Sequence, residues 1–117
     1  MPFVMSKVNV PVDAAQESEF MSRLGKAIEI LPGMSERFLL AGIESNCRLY
    51  LRGEKIPTAY VEVSVFGNKI HYGYEKFAVA VTEIFVDVLD IPPQNVYVKF
   101  CDLDCWGVGG KLFDGAR

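Results

Sequence analysis

A chain of 117 residues, half of them apolar and including eight Phe and five Tyr, suits one domain over residues 1–117 with a real hydrophobic core, and excludes a disordered segment. Its formal charge is −3, and its twelve Lys and Arg are scattered rather than gathered into a basic stripe, so no nucleic-acid partner is expected. The cysteine count is odd (Cys47, Cys101, Cys105), which argues against a disulfide framework and for a reducing, cytoplasmic setting.

The opening stretch MPFVMSKVNVP predicts a strand from about Phe3 to Val10, stopped by Pro11. Pro2 has two readings. Proline lacks an N–H and is tolerated at the first position of a strand. If Met1 is removed, the same residue becomes an N-terminal secondary amine, which is both a base and a nucleophile. Asp13 followed by Gln16 has the spacing of a capping box. The helix after it places Phe20, Leu24, Ala27, Ile28 and Leu31 on one face and ends at Pro32-Gly33. A second strand, FLLAGIES, follows, and RLYL is a candidate for a short extra one.

The same plan then recurs. AYVEVSVF predicts a strand, FGNKIHYG a loop, and residues from about Tyr74 to Leu89 a helix. That helix carries Phe77, Ala80, Val81, Ile84, Phe85, Val88 and Leu89 at i, i+3, i+4 spacing. Pro92-Pro93 separates it from the strand NVYVKFC. The chain thus reads βαβ–βαβ, an α/β (α+β) chain with a four-stranded sheet and both helices on one face. The opposite face is left bare, yet the strands carry apolar and aromatic residues in both alternating sets. Such a sheet calls for a partner, and oligomerisation through it is expected.

The apolar run FAVAVTEIFVDVL is interrupted by Glu83 and Asp87 and is too short to span a bilayer, and the start lacks the apolar core of a signal peptide. No membrane partner is expected. Cys101 and Cys105 form C-x-x-x-C, which is not a strong zinc spacing, so no metal site is expected. His71 falls in a polar loop and reads as a surface histidine.

The Met-Pro-Phe start, the NVP that follows, the strand ending VFG, the PxNVYVKF strand and the W-x-V-G stretch at Trp106 resemble the macrophage migration inhibitory factor and D-dopachrome tautomerase family, over nearly the whole chain. The resemblance implies a tautomerase-like fold, a four-stranded mixed sheet with two helices assembled as a trimeric barrel, which would cover the bare sheet face. It also implies cofactor-free keto–enol tautomerisation of phenylpyruvate-like 2-keto acids at a site between neighbouring subunits. A second implication is a cytokine-like binding trimer with a protein receptor and little catalysis, with secretion lacking a signal peptide as an alternative to a cytoplasmic location.

Carried over residue by residue, the resemblance makes Pro2 the catalytic base. The family lysine that binds the substrate carboxylate falls on Gly33 or Met34, and neither is basic. Phe66 matches a residue whose backbone N–H contacts substrate, Val108 a pocket wall, Phe113 an aromatic near the C-terminus and Tyr97 a wall residue from the neighbouring subunit. Strand alternation gives Lys99 the same face as Tyr97, so Lys99 is either a substitute cation or an outward-facing lysine.

Overall fold

The computed structural model describes residues 1–115. Strand β1 (Pro2–Val8) is followed by helix α1 (Ala14–Ala27), strand β2 (Leu40–Glu44), strand β3 (Ala59–Phe66), helix α2 (Tyr74–Leu89), strand β4 (Val96–Leu103) and a hairpin of β5 (Cys105–Val108) and β6 (Lys111–Asp114). The capping box forms as its spacing predicts: Gln16 N–H donates to Asp13 Oδ1 at 2.8 Å, and Asp13 N–H donates to Gln16 Oε1 at 2.9 Å. After α1 the chain tightens into a 3₁₀ turn at Ile28–Ile30 before Pro32 ends it.

The four long strands form a mixed sheet in the order β2-β1-β3-β4. β1 and β2 are parallel, as are β3 and β4, while β1 and β3 run antiparallel and join the two βαβ halves. Alternation along the strands sends Val4, Val8, Val61, Val63 and Val65 into one core with Phe20 and Leu24 of α1 and Phe77, Val81 and Phe85 of α2. The Phe20 and Phe85 rings meet at 5.1 Å between centroids, and Arg23 pairs with Asp87 at 2.9 Å across the same helix pair. On the other face, Tyr60 and Glu62 lie beside Tyr97 and Lys99 with no helix over them.

Two expectations are corrected. RLYL is not a strand. Its neighbourhood is held instead by the Asn9 side chain, which donates to the carbonyls of Leu49 (3.0 Å) and Ile56 (2.6 Å) and accepts from Thr58 N–H (2.7 Å). Those groups are satisfied without a ladder, and only an isolated bridge joins Leu51 to Glu54. The second strand starts at Leu40, because Glu36–Phe38 forms a 3₁₀ turn ahead of it. No helix among the described residues is long and apolar enough to cross a membrane.

Candidate active site

Strand direction alone gathers four segments at one end of the sheet. Parallel pairing of Phe3 with Leu40 puts the starts of β1 and β2 side by side, and the antiparallel pairing of Pro2 with Val65 brings in the end of β3. β4 ends beside Phe66, so the hairpin that follows it folds over the same end. Gly109 and Gly110 make that fold possible: both have positive φ (59° and 82°), the requirement of a tight two-residue hairpin turn.

The result is a cavity of about 490 Å³ walled by Met1 and Pro2, by Arg37, Phe38 and Leu40, and by Trp106 and Val108 of the hairpin. Pro2 is buried, and its place at the first position of β1 costs no ladder bond. Met1 precedes it, so the Pro2 nitrogen here lies in a peptide bond. The Met1 α-amine contacts Met34 Sδ at 3.1 Å, and burial lowers its pKa below the ordinary value. An amine at this end of β1 is therefore partly stripped of water.

Among the described residues, Arg37 is the one charged side chain lining the cavity. Its guanidinium lies 5.4 Å from the centre of the Phe38 ring, a cation–π distance. Sequence reasoning missed it, because a three-residue 3₁₀ turn carries no periodic pattern. Its signal lay in the register: once Leu40 pairs with Phe3, a residue three positions before Leu40 lies near Pro2.

The expected site residues divide into three groups. Pro2 and Val108 share the cavity. Phe66 lines an adjoining cavity of about 730 Å³ with Ile70 and Tyr72, and its ring meets Phe113 edge-on at 6.4 Å. Phe113 is in turn paired with Trp106 across the hairpin. Tyr97 and Lys99 do share a face, but within one chain β3 separates them from Pro2. Tyr97 lines a third cavity with Tyr50 and Tyr60. Lys99 lies opposite Glu62, and Tyr60, then Cys101 and Glu62, hold its pKa above the ordinary lysine value. Met34, one of the two positions that the resemblance offers for the family lysine, is partly buried against the core.

Away from the cavity, His71 is exposed yet engaged. Its Nε2 lies 2.6 Å from Asp102 Oδ2, and its ring stacks on Tyr74 at 4.9 Å. The Tyr74 hydroxyl donates to Asp102 Oδ1 at 2.6 Å. Cys47, Cys101 and Cys105 are free thiols.

The macrophage migration inhibitory factor family model matches residues 1–114. The chain belongs to the macrophage migration inhibitory factor family. Its fold is similar to that of the family's MIF2 protein from Leishmania major, with a TM-score of 0.89 at 21% identity over 97% of each chain. The Prochlorococcus marinus homologue gives 0.85 at 25% identity, covering 95% of this chain and 98% of that one. The Toxoplasma gondii protein gives 0.87 at 20%, covering 95% and 99%. Comparison with curated protein sequences finds no match. Membership in this family fits a tautomerase-superfamily or cytokine-like role.

Proposed function

We propose that the protein is a cofactor-free keto–enol tautomerase of small aromatic 2-keto acids, with Pro2 as general base and acid after removal of Met1. The observation that carries this reading is the place of Pro2, the first residue of β1 and part of the wall of a cavity that Arg37 also lines. A neutral secondary amine there takes a proton from the carbon beside the keto group. The electron pair moves to the carbonyl oxygen, and the protonated amine then returns its proton to that oxygen to give the enol. Phe38 and Trp106 supply apolar and aromatic surface for the substrate ring. The Arg37 guanidinium, a planar fork of donors, suits the substrate carboxylate. In this reading Arg37 takes over the task that Met34 has no charge to perform.

The same proposal includes a homotrimer in which the bare sheet face is covered. Tyr97 and Lys99 of one chain would then approach the Pro2 cavity of the next, while Phe66, Val108 and Phe113 complete the wall from within. Support comes from the half-exposed face carrying Tyr60, Tyr97 and Lys99. The second reading, a binding trimer that engages a protein receptor with little turnover, is favoured by Met34, whose thioether cannot form an ion pair with an acidic substrate.

Intact-mass measurement of the purified protein is expected to show loss of one methionine. Phenylpyruvate tautomerisation, followed by the absorbance of the enol, should then fall about 10²–10⁴-fold in Pro2→Gly. Retention of Met1, or a Pro2→Gly variant as active as the parent, would overturn the proline mechanism.

A further inference from the structure

Gly25 is buried in the last turn of α1, where an alanine would serve the helix better because glycine gives up more backbone freedom on folding. The structure shows what the missing methyl makes room for. A Cβ built on Gly25 would overlap Glu36 Oε2 and stand 2.5 Å from Glu36 Cδ and 3.0 Å from Cγ. Three successive atoms of the glutamate thus lie over the helix backbone, and because Glu36 is exposed, an alanine at Gly25 would turn this side chain off the helix and into solvent. Glu36 opens the 3₁₀ turn Glu36–Phe38, which delivers Arg37 and Phe38 to the cavity. The turn's backbone bonds, Phe38 N–H to Ser35 and Leu39 N–H to Glu36, are both local and do not anchor it to the rest of the fold.

The charge of Glu36 adds to the case. The C-terminal turn of a helix carries partial negative charge, and a carboxylate there is locally unfavourable. A helix-interior glycine and a carboxylate at the wrong helix end are two choices that stability alone does not explain, and they meet in one contact. Such local violations are expected where a site is being positioned.

We infer that Gly25 and Glu36 are positioning residues: the Glu36 side chain, seated on the bare backbone at Gly25, fixes the turn that presents Arg37 to a carboxylate-bearing ligand beside Pro2. This rests on the reading of Arg37 as the carboxylate partner. Neither residue touches substrate. Their effect is specific to the ligand's charge, because what they hold in place is a cation.

Trp106 is the one tryptophan of the chain and lines the cavity, so its fluorescence reports occupancy without needing turnover. The test compares binding of phenylpyruvate with that of its uncharged methyl ester. The parent protein should prefer the acid. Gly25→Ala should weaken acid binding by about tenfold, the worth of one hydrogen bond to a charged group, and leave the ester unchanged. Its melting temperature should not fall, since alanine favours the helix. Glu36→Ala, which removes the seated side chain, should weaken acid binding as much as Gly25→Ala does, and the double variant should lose no more than either single one. Unchanged acid binding in Gly25→Ala, or an equal loss for acid and ester, overturns the inference. A parent protein that prefers the acid but does not tautomerise it sinks only the enzymatic reading, and the Gly25→Ala comparison still decides the positioning role. A parent with no preference for the acid overturns both.

Discussion

At the residue scale, Pro2 and Arg37 share one cavity, and each sets terms for the other. Burial lowers the pKa of the Met1 α-amine, which stands at this end of β1. With Met1 gone, the amine belongs to Pro2, which is buried, and a cation in the same cavity disfavours protonation further. The base works only when unprotonated. Activity should therefore be lost as pH falls through a pKa below the ordinary α-amino value of about 8 and level off above it. A pH profile of kcat/KM measures this directly, and activity that still rises well above pH 8 would show that the prolyl amine is not held below the ordinary α-amino value. Pro2 was legible in the sequence as a candidate because its two chemistries follow from its position alone. Arg37 was not, because its relevance depends on how β2 registers against β1 and on a turn that shortens β2 by two residues from the expected start.

At the element scale, the helices and long strands were legible because their periods are strong. The Tyr74–Leu89 helix matches its expected bounds, and the capping box at Asp13 forms as spacing predicts. The hairpin β5–β6 was not read, although Gly109-Gly110 between CWGV and KLFD is the signal for a two-residue turn. The loop before α2 shows a different kind of hidden order, because its anchor is distant in sequence. Asp102 on β4 receives the Tyr74 hydroxyl and meets His71, while the Phe100 ring stacks on Tyr74 at 4.2 Å. The hydrogen bond from Tyr74, ahead of the contact with His71, lowers the Asp102 pKa, and burial raises that of Tyr74. A lowered carboxylate pKa contributes stability that is present above the ordinary aspartate value and is lost as pH falls through the lowered folded one. A raised tyrosine pKa contributes stability that is lost as pH rises past the ordinary tyrosine value of about 10. Tyr74→Phe removes the shared hydrogen bond. It should lower stability by about 1 kcal/mol at neutral pH, a figure discounted for the exposure of Asp102, and flatten both the acid and the alkaline flank. Urea unfolding from pH 3 to 11 measures both effects. A variant whose stability curve superimposes on the parent's would show that this cluster contributes nothing.

At the scale of the whole molecule, the sheet poses the remaining problem. One face is packed by both helices, and the other presents Tyr97, half-exposed at 52%, beside Lys99. The sequence carried this asymmetry as apolar residues in both alternating sets, but which surface covers the bare face is a property of several chains and not of one. The proposed trimer makes a demand that a monomeric site does not: Pro2 and Tyr97 must come from different chains to serve one cavity, because β3 holds them apart within a chain. Complementation tests that geometry. Pro2→Gly and Tyr97→Ala should each abolish or strongly reduce activity alone. When the two variants are unfolded together in equal amounts and refolded, a Tyr97→Ala chain supplies its intact Pro2 to a site whose Tyr97 comes from a Pro2→Gly neighbour. Random closed trimers of the two should regain about a quarter of the sites. Sites built within single chains would regain none, since no chain in the mixture carries both residues. Recovery that scales with the product of the two variant fractions would identify the neighbour as the source of Tyr97, and its absence in mixed trimers verified by native mass spectrometry would place the whole site within one chain.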